Sequence, residues 1–251
     1  MKFWQVVSFT EPEQLLDVAR EVEDAGFHGI LLSDHLFFPE KLASRYPYSP
    51  DGRPGFEATT PFPDPWATIA ALAARTTRLR FATMVYILPL RHPLEVAKTV
   101  GTVALLSGGR VALGCGAGWI REEYDALGVD FATRGRRFDE MIGVLRALWE
   151  SGAVEHHGRF FDLPRLSMSP APGTSIPIWV GGLAPAALPF ETIVPLAAPP
   201  DPDVLRRLEE EHGMTATTAW PFTYTIGARS TLQAKRAWLR RFADQVIAKV
   251  G

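Results

Sequence analysis

The chain contains 251 residues, of which 47% are hydrophobic and 22% are charged, and this composition predicts a single domain with a sizeable core. Its 26 Lys and Arg residues are matched by 28 Asp and Glu residues, so it lacks the basic surplus by which nucleic-acid-binding proteins neutralise phosphates. The one cysteine, Cys115, excludes an intrachain disulfide and a cysteine-based zinc cluster, and we therefore expect a cytoplasmic protein.

The first predicted strand, residues 3–8, begins almost at the first residue of the chain, and a helix over residues 11–25 follows it. No basic segment followed by an apolar one precedes the strand, so no signal peptide is predicted. No apolar run approaches the length of about 18 residues that a membrane span needs. The sequence thus predicts a protein that binds neither membranes nor nucleic acids.

The second predicted strand, residues 29–32, delivers the polar residues Ser33, Asp34 and His35 at its C-terminal end. Residues 36–63 are rich in proline, glycine and aromatic residues without periodicity, which predicts a long loop on the same face. Long ordered loops in compact domains usually serve as lids or binding loops. The aromatic residues of this loop would line a ligand pocket or a subunit interface; they are Phe37, Phe38, Tyr46, Tyr48, Phe56 and Phe62.

Two further strand-loop-helix units follow. Residues 79–88 form a β-branched and aromatic run that stops at Pro89, before a helix that starts at His92. Residues 110–118 form another strand, which ends in glycines and leads into helical segments. Consecutive units of this kind, with functional residue types at the C-terminal ends of the strands, are the ground plan of an α/β barrel enzyme.

The second half of the chain has fewer clear elements, and residues 151–175 are predicted to be another irregular excursion. The remaining predicted elements are helices from 64, over 121–127, 134–149, 203–212 and 232–250, and strands over 176–182, 192–196 and 215–219. The strand count is one short of an eightfold barrel. We therefore predict one barrel domain over residues 1–251, shortened by about one βα unit after the fifth strand. A true deletion and a missing segment near residues 183–190 are both open.

Five motifs form one ordered set along the chain. They are Ser33-Asp34-His35, residues 83–93 beginning Thr83-Met84-Val85, Gly114-Cys115-Gly116-Ala117-Gly118-Trp119, residues 134–140 and residues 176–182. This set resembles the bacterial luciferase-like monooxygenase superfamily, and within it the oxidoreductases that depend on the deazaflavin coenzyme F420. The resemblance covers residues 3–182 well and the remainder weakly. It implies an α/β fold, a (β/α)8 TIM barrel of the luciferase-like type.

The resemblance implies roles for residues at two strand ends. In this family a non-proline cis peptide bond makes a bulge in the third strand, here at Met84-Val85, and the bulge supports the cofactor ring. His35 would lie near the reactive carbon of the ring, as a proton-transfer partner or as a polariser of the ring carbonyl. Asp34 would be catalytic with it or orient its imidazole. From the residues alone, an ordinary barrel strand and a loop start with a helix cap are open alternatives.

Glycines recur at alternate positions in Gly114, Gly116 and Gly118. Glycine lets a backbone approach a ligand and expose its N–H groups, which predicts a phosphate site, and tight packing would explain the same glycines. After the fifth strand, Gly181 and Gly182 repeat the pattern and would complete the cradle. The predicted cofactor-binding residues are Thr83, Met84, Val85, Gly114, Gly116, Ala117, Gly118, Val180, Gly181 and Gly182.

Residue 119 departs from the pattern of one subgroup. Sugar-phosphate dehydrogenases of this family carry a glutamate where this chain has Trp119, so the resemblance favours an apolar or aromatic substrate over a sugar phosphate. The charged residues Glu122, Arg134 and Arg137 are expected to form a structural network.

The adjacent residues His156 and His157 lack an acidic or cysteine partner at ligand spacing, so no metal site is predicted. The sequence therefore leads to an F420-dependent oxidoreductase that transfers hydride to or from an unidentified small organic substrate. One alternative is an FMN-dependent luciferase-like monooxygenase. Another is a degenerate barrel that binds a flavin or serves as a partner subunit without catalysis. A homodimer is expected, because a shortened barrel could cover its edge in this way.

Overall fold

The computed structural model describes residues 1–181, 193–195 and 201–250, with the backbone alone described for 193–195. The strands are β1 (Lys2–Val6), β2 (Gly29–Leu32), β3 (Arg80–Thr83), β4 (Tyr86–Ile87), β5 (Val111–Gly116), β6 (Ala153–His157), β7 (Asp162–Ser167), β8 (Ile178–Val180), β9 (Ile193–Pro195) and β10 (Ala216–Ala219). The helices are α1 (Leu15–Asp24), α2 (Pro65–Ala73), α3 (Pro93–Leu106), α4 (Arg121–Ala126), α5 (Arg134–Ser151), α6 (Pro202–His212), α7 (Phe222–Thr225), α8 (Leu232–Phe242) and α9 (Ala248–Val250).

The chain divides into two compact units. The first comprises Met1–Leu32, Ala71–Ala82 and Leu183–Gly251, and the second comprises Ser33–Ala70 and Thr83–Gly182. All the predicted catalytic residues, and all the predicted cofactor-binding residues that the structure describes, belong to the second unit.

The first unit is built on parallel strands. β1 pairs in parallel with β2 and with β10, and β10 pairs in parallel with β9. β3 lies beside β2. The side chains of Phe3, Trp4 and Ile30 are buried in this sheet. Gly29 permits the close approach of β2, because a Cβ at that residue would lie 2.2 Å from the Trp4 ring.

Helices α1 and α8 complete the core of the first unit. The Phe242 ring at the end of α8 stacks on Phe27, with the ring centroids 5.2 Å apart. Lys235 on α8 is buried, and its Nζ donates to Glu11 Oε2 at 2.7 Å and to Gln14 Oε1 at 3.0 Å. Such partners offset the desolvation of a buried ammonium group, so these bonds tie α8 to the segment before α1.

The second unit carries the glycine-rich strand β5, which pairs in parallel with β4 and with β8. Helix α3 packs against α5, where the indole N–H of Trp149 donates to the Ala97 carbonyl at 3.1 Å. Helix α2 begins as the sequence predicts. The Asp64 side chain accepts the Ala67 N–H at 2.7 Å, and Pro65 is the first helical residue.

An antiparallel hairpin follows α5. The prediction of an irregular excursion over residues 151–175 is wrong for this part, because β6 and β7 form a ladder of their own. The alternation of buried and exposed residues that marks most strands is weak in β7, which contains Pro164. Glu140 on α5 accepts the N–H groups of residues 159–161 at 2.9 to 3.2 Å and His156 Nε2 at 3.0 Å. This carboxylate therefore fastens the turn of the hairpin to α5.

The other predicted elements are largely present. Residues 36–63 contain neither helix nor strand, as predicted. If β3 and β4 are counted as one interrupted strand, the described residues contain seven strands besides the hairpin. The segment near 183–190, to which the sequence assigns a deletion or a missing segment, lies outside the described residues. Among the helices that are described, none has the length and apolar character needed to cross a membrane.

Candidate active site around His35

Ser33, Asp34 and His35 open the second unit directly after β2. The Ser33 hydroxyl donates to the carbonyl of Met84 at 3.1 Å. The peptide bond between Met84 and Val85 is cis, so the prediction of a non-proline cis bond at this position is confirmed. The triplet and the bulged strand therefore meet at one place in the second unit.

Asp34 is buried, and both of its carboxylate oxygens are engaged. Arg91 donates from Nη1 to Oδ2 at 2.6 Å and from Nη2 to Oδ1 at 2.9 Å, while the Ile87 N–H donates to Oδ2 at 2.9 Å. Bidentate pairing of this kind is directional and strong. The prediction that Asp34 orients His35 is wrong, because its oxygens bind Arg91 and fix the turn after β4.

The protonation states of Asp34 and Arg91 depend on each other. Burial raises the pKa of Asp34, and the Arg91 guanidinium and the Ile87 N–H oppose that rise. Burial acts to lower the pKa of Arg91, but the Asp34 carboxylate and Tyr86 raise it above its ordinary value. Arg91 therefore stays protonated, and its guanidinium lies 4.2 Å from the Tyr86 ring centroid. A buried pair of this kind is compensated only while both partners are present.

His35 is held by Glu123, which is not among the predicted site residues. Glu123 on α4 is fully buried, its Oε2 lies 3.1 Å from His35 Nδ1, and its Oε1 accepts the Leu36 N–H at 2.7 Å. Because a carboxylate only accepts hydrogen bonds, this network assigns the proton of neutral His35 to Nδ1 and leaves a lone pair on Nε2. That nitrogen has no hydrogen-bond partner within the described part of the chain.

The signal that could have identified Glu123 is its position in the sequence. It lies in the first turn of the helix that follows the glycine-rich strand, next to Glu122. A glutamate of α4 that is fully buried must have a polar partner, because an unpaired buried carboxylate is strongly disfavoured. Its burial is not evident from the sequence, since four of the six residues of α4 are charged.

Aromatic rings surround the His35 imidazole. The ring centroids of Phe56, Phe62 and Trp119 lie 5.2, 5.4 and 5.9 Å from it. Phe56 and Phe62 also pack edge to face against each other at 4.9 Å. Two of these residues come from the 36–63 loop and the third from the turn after β5. The loop thus brings part of its predicted aromatic set to the histidine.

The glycines at the strand ends serve packing. A Cβ on Gly114 would lie 1.9 Å from the carbonyl oxygen of Thr83, whose hydroxyl donates to the Gly114 carbonyl at 2.6 Å. A Cβ on Gly116 would lie 2.8 Å from one methyl group of Val85, and a Cβ on Gly181 would lie 2.6 Å from the other. Tight packing, one of the two alternatives that the sequence leaves open, thus accounts for these three glycines.

The turn after β5 presents backbone donors. Gly118 has a φ of 71°, in the left-handed region that favours glycine, and a Cβ there would lie 2.6 Å from an Ile87 methyl group. The N–H groups of Ala117 and Gly118 make no hydrogen bond with other described residues. Val180, which is in register with Cys115 on β5, is 63% exposed. Gly182, the last predicted cofactor residue, lies outside the described residues.

The charged residues near the turn form structural contacts, as the sequence leads us to expect. Glu122 accepts the N–H of Ser44 at 3.1 Å and its hydroxyl at 2.6 Å, which holds the 36–63 loop against α4. Arg137 donates to the Pro89 carbonyl at 3.0 Å, and Arg134 donates to a nearby backbone carbonyl at 2.9 Å.

The two neighbouring histidines of the hairpin have separate partners. His156 binds Glu140, and the exposed His157 places its Nδ1 2.6 Å from Asp162 Oδ1. The hydrogen bonds to Asp162 and Glu155 raise the pKa of His157. Within the residues that the structure describes, no group of three or more His, Cys, Asp or Glu side chains is arranged to hold a metal ion.

The profile of the luciferase-like monooxygenase family matches residues 5–192, and the chain belongs to this family. An uncharacterized protein of Mycobacterium tuberculosis (strain H37Rv) is 35% identical over 288 aligned residues, which cover 100% of each chain. Because this alignment is longer than the 251 residues of the chain, the relative carries residues that have no counterpart here.

Two other matches differ in the cofactor that their names give. The F420-dependent glucose-6-phosphate dehydrogenase of Microbacterium testaceum is 31% identical over 180 residues, which cover 70% of this chain and 48% of that one. The oxygenating constituent of 3,6-diketocamphane monooxygenase from Pseudomonas putida, solved with FMN, superposes with a TM-score of 0.57 at 18% identity. It covers 100% of this chain, which spans 63% of that structure's length. The chain is thus similar in sequence to an F420-dependent dehydrogenase and similar in fold to a monooxygenase component solved with FMN.

Proposed function

We propose that this protein is an oxidoreductase that binds the deazaflavin F420 and exchanges hydride between it and a small organic substrate. The observation that carries this proposal is the pairing of His35 with Glu123 at the end of a strand, which leaves the other imidazole nitrogen without a partner among the described residues. The chain belongs to a family of oxidoreductases, which fits this arrangement. The F420-dependent relative supports the choice of deazaflavin.

His35 serves as the proton-transfer residue in this proposal. Glu123 holds Nδ1 and fixes the orientation and tautomer of the ring, so that Nε2 can accept a proton from a substrate hydroxyl group. In the opposite direction the protonated ring donates to a substrate carbonyl, and Glu123 stabilises its charge. The buried carboxylate is thus a positioning residue, and His35 is the group that meets the substrate.

The residues near the turn after β5 are suited to a phosphate-bearing cofactor. The N–H groups of Ala117 and Gly118 have no hydrogen-bond partner among the described residues and can donate to phosphate oxygens. The exposed Val180, in register with Cys115, offers an apolar contact on the neighbouring strand. Met84 and Val85 would lie against the ring of the cofactor. When bound, the deazaflavin would supply hydride acceptance or donation, which no side chain of the protein can perform.

Fluorescence titration tests this proposal. We expect oxidised F420 to bind the purified protein with a micromolar or lower dissociation constant, about −8 kcal/mol. The variant Val180→Asp should weaken binding by about tenfold or more, because it places a negative charge next to the proposed phosphate site. The matched control is Val204→Asp on α6 in the first unit, which is 37% exposed and should bind as the wild type does.

Each other outcome of the titration rejects a stated part of the proposal. Saturable quenching by FMN but not by F420 would make the protein an FMN-dependent member of the family. Equal binding by the two valine variants would remove the cofactor from the turn after β5. Failure of both cofactors to saturate would favour a barrel without catalysis.

A further inference from the structure

We propose that the rings around His35 form a binding wall for a neutral, planar apolar substrate that carries one hydroxyl or carbonyl group. This inference rests on the proposed function, because it names the substrate class of the same site. The wall consists of Phe56, Phe62 and Trp119, whose ring centroids all lie within 6 Å of the imidazole.

The wall is extended by a second layer of rings. Phe38 packs edge to face against Phe56 at 5.9 Å, and Tyr46 packs against Trp119 at 5.1 Å. Four of these five rings come from the 36–63 loop, and the two rings of the second layer reach His35 only through Phe56 and Trp119. The rings of the wall are half-buried and keep part of their surface accessible. A planar ligand could replace water on that surface at a favourable free energy.

The charges behind the wall select against an anionic group. The Glu123 carboxylate is fully buried 3.1 Å from His35 Nδ1, so a phosphate placed on the free nitrogen of the same ring would be repelled by it at short range. The positive charge of Arg91 is matched by Asp34 in a bidentate pair. A neutral group is not repelled by the Glu123 carboxylate and does not need the Arg91 guanidinium as a partner.

The polar end of the ligand is defined by His35. Its Nε2 has no hydrogen-bond partner among the described residues, while its Nδ1 is fixed by Glu123. The free nitrogen can accept from a hydroxyl group, or after protonation donate to a carbonyl oxygen. One polar group at the histidine and apolar surface elsewhere is the arrangement that fits this site.

The loop that carries most of the wall is fastened in place by two neighbouring glutamates of α4. Glu123 accepts the Leu36 N–H at 2.7 Å, and Glu122 accepts the N–H groups of Ala43 and Ser44 at 2.6 and 3.1 Å. A wall that is ordered before binding requires less ordering of side chains when the ligand arrives. The same helix thus orients the histidine and holds the loop.

Ligand binding to the full-length protein tests the inference without requiring turnover. The probes are 1-phenylethanol and glucose 6-phosphate, measured by saturation-transfer NMR with and without F420, whose own binding is followed separately by fluorescence. We expect saturable binding of 1-phenylethanol at millimolar or lower concentration and none of glucose 6-phosphate. Phe56→Ala and Trp119→Ala should each weaken binding of the aromatic probe by about 5- to 10-fold.

The control is Leu106→Ala, which removes a side chain that is 75% exposed at the end of α3 and should leave probe binding unchanged. Phe56→Leu provides a milder variant if the alanine variants unfold, and thermal melting reports which of them fold. Tighter binding of glucose 6-phosphate than of the aromatic probe overturns the inference. Equal weakening by Leu106→Ala and Phe56→Ala also overturns it, and so does the absence of saturable probe binding to the F420-loaded protein.

The two proposals can fail separately. If F420 does not bind but 1-phenylethanol binds in a manner that depends on Phe56, the choice of cofactor is wrong and the substrate class stands. If F420 binds and the aromatic probe does not, the rings only close their own loop and the substrate class is wrong.

Discussion

Two histidine–glutamate pairs of the second unit have similar contact distances but different surroundings. In one, Glu123 holds His35 at 3.1 Å, and in the other, Glu140 holds His156 at 3.0 Å. Glu123 is fully buried and accepts one further N–H, whereas Glu140 accepts the N–H groups of three consecutive residues of the hairpin turn.

The difference shows that the remaining contacts of the carboxylate define the role of such a pair. Most of the hydrogen bonds that Glu140 accepts come from backbone N–H groups, so His156 is one of several contacts that close a turn. Glu123 has few other contacts, and its histidine is enclosed by aromatic rings. An isolated His–Glu contact therefore predicts neither catalysis nor structure until the rest of the carboxylate is considered.

The largest expected effect concerns a third carboxylate, Asp34, and the loss of its partner gives a stability change with which the two histidine–glutamate pairs can be compared. Arg91→Ala leaves Asp34 buried without its cation, and we expect the free energy of unfolding to fall by about 3–5 kcal/mol. Urea denaturation at neutral pH measures this loss. The double variant Arg91→Leu with Asp34→Asn should recover part of it. A loss below about 1 kcal/mol would show that water compensates Asp34 and that the pair is not a structural anchor.

The next prediction separates the two histidines by their effect on catalysis. His35→Ala should reduce turnover by about 10²-fold or more, because it removes proton transfer, while the affinity for the cofactor changes little. His156→Ala is the matched control and should keep near wild-type turnover. Steady-state kinetics with any substrate found for the protein measures both. Equal turnover in the two variants would show that His35 only lines the pocket and does not transfer a proton.

The smallest expected effect concerns how Glu140 contributes to the stability of the hairpin at low pH. Burial acts to raise the pKa of Glu140, but the hydrogen bonds from His156 and the turn N–H groups outweigh it, so the pKa lies below its ordinary value of 4.5. Because the pKa is lower in the folded state, the carboxylate stabilises the fold fully at pH values above its ordinary pKa of 4.5. Its contribution is lost as the pH falls through the lowered pKa.

We therefore expect Glu140→Gln to lower the free energy of unfolding at pH 7 by about 1–2 kcal/mol. The difference in the free energy of unfolding between wild type and variant should narrow as the pH falls below the ordinary value of 4.5, because protonation removes the charge from the wild-type side chain. Urea denaturation across pH 3.5 to 7 measures it. A gap that stays constant with pH would mean that the charge of Glu140 contributes nothing to the hairpin.

Local patterns and the family resemblance were sufficient to predict much of this molecule. The helix start at Asp64 and the strand end before His35 follow from residues that are close in sequence, and the cis bond at Met84-Val85 follows from the family resemblance. The partner of His35 does not. Neighbouring residues at a strand end point to opposite sides, so Asp34 reaches Arg91 while His35 reaches a glutamate 88 residues away.

The glycine-rich motif shows a second limit of prediction from sequence. A glycine is needed both where a ligand approaches the backbone and where another part of the protein does. In the structure Gly114 accommodates the Thr83 carbonyl, and the backbone donors suited to phosphate are those of Ala117 and Gly118. The motif predicts that another group lies close to this backbone, but whether that group is a ligand or a neighbouring strand depends on residues distant in sequence.

The packing of Val85 has a consequence for how this family can change its sequence. Its two methyl groups occupy the positions that side chains on Gly116 and Gly181 would need. Substitution of either glycine alone is therefore blocked, whereas a smaller residue at 85 opens room for alanine at 116 or 181. Related sequences should show these three positions varying together, and Gly116→Ala should be tolerated better when it is combined with Val85→Ala.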